Sequence, residues 1–246
     1  LLLPQIDYVI HLASPASPKF YNKLPFETID VNTVGTLNMI KLAHYFNATF
    51  LFTSTSEIYG DPLEHPQTEE YRGNVNPLST RSVYDEAKRL GETIVYNYGL
   101  KYKINWKIVR LFNTYGPRMR SDDDRVIPNF INQILNKEPI TIYGDGTQTR
   151  SFCYVKDTVN GLIKLLESDV INVINIGNPN EITILALIKH LTSNFNYPII
   201  YKDLSESDPI RRKPDISKAK YFLKWEPKVN LDDGLKKTMK YFIEIN

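Results

Sequence analysis

Residues 49–60 read TFLFTSTSEIYG, and the fold turns on how that stretch divides. Its first half, Thr49–Ser56, is an apolar and β-rich run of the kind a strand buried on both faces requires. Its far end crowds Ser54, Thr55, Ser56 and Glu57 where such a strand gives way to a loop. Upstream, DYVIHLAS (7–14) has the same form, a short β-rich run ended by small polar residues, and reads as a second buried strand. Between the two, Val31, Val34, Leu37, Met39, Ile40 and Ala43 recur at helical spacing, predicting a helix from about Asp30 to Phe46. Downstream, a polar loop with Pro62, Pro66, Gly73 and Pro77 precedes a helix over Ser82–Tyr102 and a third strand in WKIVRLFN (106–113). Strand and helix alternate. The pattern predicts an α/β fold with a Rossmann-like, doubly wound parallel sheet covered on both faces.

Past NTYGPR (113–118) the pattern changes. A helix near Ile127–Asn136 leads to short strands in ITIYG and TRSFCYV, joined by a Gly-Asp-Gly turn. Further helices are predicted near Lys156–Glu167, Thr183–Asn194, Asp215–Leu223 and Leu231–Glu244, with strands near Asn172–Ile176 and Pro198–Lys202. Residues 1–116 therefore read as a partial dinucleotide-binding domain, and 117–246 as mainly a smaller lobe that interleaves with it. In doubly wound sheets ligands gather beyond the carboxyl ends of the strands, where the polar clusters of this sequence fall.

Tyr84 and Lys88, in VYDEAK (83–88), stand one helical turn apart. A phenol is a poor base at its ordinary pKa near 10, and an ammonium on the same helix face is expected to lower that value. A strand-end hydroxyl, with Thr55 best placed, would hold a substrate oxygen against the phenol during proton removal. Spacing alone equally describes a solvated helix face; the hydroxyl-rich strand end just before this helix favours a site.

YDEAK, together with STSEIYGDP (54–62), HLASPASP (11–18) and RLFNTYGPRM (110–119), resembles the extended short-chain dehydrogenase/reductase superfamily, and within it the UDP-glucuronate decarboxylases. TIYGDGTQTRSFCYVKD (141–157), NIGNPNE (175–181) and RRKPDISKAK (211–220) extend the resemblance over nearly the whole chain. Tyr-x-x-x-Lys marks the superfamily. Thr55-Ser56-Glu57 and the downstream Arg-Lys-Pro-Asp are more selective, since the related 4,6-dehydratases typically carry Thr-Asp-Glu and 4-epimerases usually lack the glutamate.

The resemblance implies oxidation of C4 of UDP-glucuronate by bound NAD, loss of carbon dioxide from the 4-keto sugar, protonation at C5 and return of the hydride. It implies Tyr84 as the base at the C4 hydroxyl, Lys88 beside the nicotinamide ribose and Thr55 on O4. Ser56 and Glu57 would lie near C5 and its carboxylate, and Arg212 would organise the carboxylate end and help reprotonate C5. Carried over likewise, Leu12, Ser14, Thr53 and Thr114 would face NAD, although Leu12 reads equally as core. Asn113, Arg125, Gln148 and Arg150 would hold the diphosphate and ribose, where arginine forks suit phosphate oxygens. Tyr143 would lie by the uracil or, equally, in the core; His11 reads as structural. A homodimer through the helices around 31–46 and 84–102 is implied by the same likeness.

Composition adds bounds. The 246 residues are 42% hydrophobic and 24% charged with net charge +2, ordinary for a globular protein and unlike a nucleic-acid binder. One cysteine, Cys153, excludes an internal disulfide and a cysteine-built metal site. No apolar run approaches the ~18 residues that span a bilayer, and a cytoplasmic setting is expected.

One superfamily feature is absent from the sequence. A Gly-x-x-Gly-x-x-Gly loop ordinarily cradles the NAD pyrophosphate, and of eleven glycines only Gly144 and Gly146 form even a Gly-x-Gly, in a turn. The chain thus reads as starting at the family's fourth strand, roughly 60–90 residues in by the size of βαβ units. A 4,6-dehydratase, a 4-epimerase and a non-catalytic UDP-binding remnant stay open beside the decarboxylase.

Overall fold

The structure, a computed structural model, describes residues 4–192, 197–203 and 209–245. β1 (Tyr8–His11) leads through two short helices, α1 (Pro18–Lys23) and α2 (Pro25–Asp30), and a π-turn at Val31–Gly35 into α3 (Thr36–Phe46). β2 (Thr49–Thr55) ends in a 3-10 turn at Ser56–Tyr59; a long loop then reaches α4 (Ser82–Tyr102), β3 (Trp106–Leu111), β4 (Thr114–Tyr115) and α5 (Val126–Leu135). The remainder runs β5 (Ile140–Tyr143), β6 (Thr149–Ser151), β7 (Cys153–Tyr154), α6 (Val155–Leu166), β8 (Val173–Ile176) and β9 (Glu181–Thr183). It closes with α7 (Ile184–Thr192), β10 (Ile199–Lys202), β11 (Arg211–Arg212), α8 (Ser217–Leu223) and α9 (Leu231–Ile245). Asn194, the expected end of the seventh helix, lies outside the described residues.

The main sheet is wholly parallel, ordered β1-β2-β3-β8. Period-two alternation along β2 explains why it is buried on both faces from Phe50 to Thr55. Phe50 and Phe52 join Ile40, Ala43, Val95 and Ile108 in a core under α3 and α4. Leu51 points the other way, with Val109, Ile174, Leu165, Ala219 and Trp225, into a core under α6 and α8. β8 and its helices come from the second half of the chain, so that half closes the sheet begun by the first. A third core, built on Phe130, Ile140, Leu187 and Phe242, lies among α5, β5, α7 and α9.

Three expectations need correction. β1 is not buried on both faces: Tyr8 and Ile10 are about half exposed, because among the described residues β1 pairs with β2 alone and packs on α3 with one face. The helix expected from Asp30 begins instead at Pro25 and passes through the π-turn. TRSFCYV is not one strand but two, β6 and β7, which belong to different sheets. β5 pairs with β10, whereas β6 lies between β11 and β9, so this turn carries the chain from one small sheet to another. Such long-range partners leave no local pattern to read. Among the described residues no helix is long and apolar enough to cross a membrane.

α4 sits so close to its neighbours that a methyl group at Gly91 would lie 2.9 Å from the Asn32 carbonyl oxygen and 2.5 Å from Phe52. Helix propensity alone would favour Gly91→Ala by about 1 kcal/mol. Overpacking against backbone should reverse that sign, for a net loss of about 1–2 kcal/mol in urea denaturation; a gain in stability would refute this close approach.

Candidate active site

The 3-10 turn that ends β2 puts Glu57 at the centre of the site. Thr55 caps that turn, its Oγ1 accepting from the Glu57 backbone N–H at 3.2 Å. The two carboxylate oxygens are divided between two guanidiniums: Arg81, just before α4, donates to Oε2, and Arg212, on β11, donates to Oε1. Arg212 is 2% exposed and also donates to the Gly60 carbonyl at 2.6 Å. Burial alone would raise the Glu57 pKa, but the attraction of Arg212, then of Arg81 and Arg150, holds it at about 2. Glu57 is an ionised acid at every ordinary pH.

Arg212 reaches this point because β11 pairs with β6, placing Arg212 opposite Arg150. The following residues are tied down by Gln67, whose N–H donates to the Lys213 carbonyl and whose Oε1 accepts from the Lys213 N–H, both at 2.9 Å. Arg212 is thus a buried strand residue rather than an exposed loop charge.

Tyr84, Lys88 and Glu92 follow one another at intervals of four along one face of α4. The Thr55 hydroxyl lies near the Tyr84 phenol and favours its ionised form, and the Tyr84 ring stacks on Tyr21, centroids 5.3 Å apart. Lys88 donates to the Thr53 carbonyl at 2.7 Å, and its ammonium lies 4.9 Å from the Phe52 ring centroid. The expected lowering of the tyrosine pKa is not what the protein groups produce. Burial raises it, and although the Thr55 hydroxyl and Arg125 pull down, Glu57 and Asp85 push up. Lys88 is itself driven down to about 7 by burial, against the opposing pull of Glu92. Tyr84 is therefore a neutral phenol, aimed at the same strand-end hydroxyl that caps the Glu57 turn.

Beneath these groups lies a buried polar network. Ser54 donates to Glu92 at 2.5 Å, and Glu92 receives a two-pronged bond from Arg110 at 2.9 and 2.7 Å. Arg110 also donates to the Tyr59 hydroxyl at 3.0 Å, which donates to Asn175 of β8 at 2.8 Å. Thr53 donates to the His11 carbonyl at 2.9 Å, and buried His11 contacts the Val31 carbonyl at 3.1 Å, in keeping with its structural reading.

The other anticipated residues have local partners of their own. Leu12, just past β1, is 59% exposed and so is not core. Ser14 accepts from Asn32 Nδ2 at 2.9 Å, and Asn32 Oδ1 is buried without a partner. Thr114 contacts the Thr158 hydroxyl at 3.0 Å, and the Asn113 carbonyl accepts from the Cys153 N–H. Arg125 pairs with Asp123 at 2.6 Å while its charge still reaches Tyr84. Gln148 donates to the Tyr143 carbonyl at 2.6 Å, fixing the end of β5; the Tyr143 ring is half exposed, which removes its core reading. Sequence reasoning missed Arg81, Asp85, Glu92, Arg110 and Tyr21. Only Glu92 had a local signal, its place one turn beyond Lys88.

Residues 2–177 match the sequence profile of the NAD dependent epimerase/dehydratase family. The chain is 52% identical over 243 residues to UDP-glucuronic acid decarboxylase 2 of Arabidopsis thaliana, covering 98% of this chain and 55% of that one. It is 53% identical over 236 residues to UDP-glucuronic acid decarboxylase 5 of the same plant, covering 95% and 69%. The chain thus spans between about half and two thirds of the length of these curated relatives. Among solved structures, the UDP-glucuronic acid 4-epimerase of Bacillus cereus, in complex with UDP-glucuronic acid and NAD, superposes with a TM-score of 0.87 at 30% identity, covering 98% of this chain and 76% of that one.

Because the Glu57 pKa lies far below its ordinary 4.5, its ionised form contributes stability that is fully present above about pH 4.5 and is lost as pH falls towards 2. Glu57→Gln should be less stable than the wild type at pH 6, and that gap should narrow on acidification by up to about 3 kcal/mol. Urea denaturation across this range would measure it; a constant gap would disprove the ion pairing.

Proposed function

Since the chain belongs to the NAD dependent epimerase/dehydratase family, and groups within it with the UDP-glucuronic acid decarboxylases, we propose that the protein converts UDP-glucuronate to UDP-xylose and carbon dioxide with bound NAD. The observation that carries this reading is the convergence of Glu57, Arg81 and Arg212 within reach of the Thr55–Tyr84 hydroxyl pair. One end of that cluster suits a sugar hydroxyl and the other a sugar carboxylate.

The residues present fit the nicotinamide end of the cofactor. Ser14, Thr53 and Thr114 lie at or just past strand ends with exposed Leu12, and Asn32 Oδ1 is a buried acceptor without a protein partner beside Ser14. Among the 246 residues no Gly-x-x-Gly-x-x-Gly is available for the pyrophosphate end. When bound, NAD takes a hydride from C4 and later returns it, which makes C4 a ketone while the sugar carboxylate leaves.

In this mechanism Thr55 positions the C4 oxygen and Tyr84 takes its proton. Lys88, held on the Thr53 carbonyl, presents its amine beside the cofactor ribose. The C5 carboxylate lies β to the C4 ketone, so carbon dioxide departs as its electrons enter an enolate. Arg212 and Arg81 orient that carboxylate, and Arg212 with Ser56 and Glu57 guides a proton back to C5. Asn113, Arg125, Gln148 and Arg150 hold the diphosphate and ribose, with Tyr143 at the uracil. The half-exposed apolar side chains Val34 and Leu90, on the helical rod before β2 and on α4, support a homodimer through these helices.

Incubation of the NAD-loaded protein with UDP-glucuronate should release carbon dioxide and UDP-xylose in equal amounts; an epimerised uronate, or no reaction, would refute the reading. Tyr84→Phe should cut turnover by about 10²–10⁴-fold while UDP affinity, read by calorimetry, holds. Arg212→His should reduce turnover far more than UDP binding.

A further inference from the structure

Asp85 has no role in the chemistry above, yet it is 5% exposed, stands next to Tyr84 in the first turn of α4, and its Oδ1 is buried without a hydrogen-bond partner. Arg212 carries a second such atom, Nε. A buried carboxyl oxygen without a partner is costly, and it persists where the surrounding structure imposes it. The groups that act on Asp85 come from every side of the site. Arg81, Tyr84 and Glu86 belong to its own helix or the residue before it, Tyr21 to α1, Glu57 to the turn after β2 and Arg212 to β11. Glu57 accepts from both arginines and repels a charge on Asp85, so ionisation of Asp85 subtracts from the positive charge that the two arginines present.

Resting on the decarboxylase reading, we propose that Asp85 tunes the recognition of acidic sugars. While its carboxyl keeps its proton, the Arg212 cluster attracts a sugar carboxylate, and loss of that proton weakens the attraction by one negative charge. Asp85 is thus a positioning residue that acts through Arg212 and Glu57 rather than on the reacting atoms. Burial first, and repulsion by Glu57 second, push its pKa up to about 7, against the pull of Arg81 and Arg212. The switch would therefore operate around neutral pH, and selectively, since a neutral sugar on the same nucleotide presents nothing for the added charge to repel.

The test is calorimetry on the NAD-loaded protein with UDP-glucuronate and UDP-glucose from pH 6 to pH 9. UDP-glucose controls for Lys88, which also changes charge near neutrality but meets both sugars alike. If the bound carboxylate raises the Asp85 pKa by about one unit, UDP-glucuronate affinity should fall about tenfold across this range. UDP-glucose affinity should stay level, and Asp85→Asn should abolish the fall. A raised acid pKa costs stability as pH climbs from about 4 to 7, so the melting temperature of Asp85→Asn relative to wild type should rise over that interval. Equal pH dependence for the two sugars, or an unchanged fall in Asp85→Asn, would overturn the proposal while leaving the decarboxylase reading standing. Tighter binding of UDP-glucose than of UDP-glucuronate at every pH would overturn both.

Discussion

The Glu57 carboxylate, shared between Arg81 and Arg212, is the constraint around which the site is assembled. It joins positions 155 residues apart, and so couples the end of β2 to a two-residue strand in the second half of the chain. Buried ion pairs are poor evidence of net stability, because desolvation offsets much of their attraction. Their consequence here is geometric. With both carboxylate oxygens occupied, the 3-10 turn has one setting, and the hydroxyl of Thr55 that caps it is held towards Tyr84.

Burial then separates the protonation states of neighbouring groups. Glu57 is ionised because two guanidiniums outweigh its desolvation, whereas burial and repulsion by Glu57 favour the protonated form of Asp85, one oxygen of which is buried without a partner. Lys88 and Tyr84 are each pushed towards their neutral forms. Pairs of titratable groups driven in opposite directions are a mark of sites that move protons. The same surroundings explain why Tyr-x-x-x-Lys by itself says little: the lysine charge is blunted by the burial that makes the phenol resist ionisation.

The platform beneath is equally specific. Glu92, Arg110, Tyr59 and Asn175 bind β2, α4, β3 and β8 to one another through side chains. A polar network of this kind is favourable only when its members are satisfied, and these contacts are short and mutually consistent. A UDP-glucuronic acid 4-epimerase has a similar fold, and a fold by itself does not fix the reaction it hosts.

What the amino-acid sequence determined by itself was the parallel α/β core and the local pairings. β2, α4 and β3 follow from periodicity, and Thr55, Glu57, Tyr84 and Lys88 stand on their ends because strand and helix geometry place them there. Its motifs also named Arg212, but not where its side chain goes. Tertiary structure alone decided that Arg212 folds back onto Glu57, that Arg81 completes the pair, that one oxygen of Asp85 is buried without a partner, and that β5 and β6 part into different sheets. The reason is range: periodicity reports neighbours three to four residues apart, whereas charge pairing and small-sheet partnership join segments tens to hundreds of residues apart, where the intervening chain leaves no pattern.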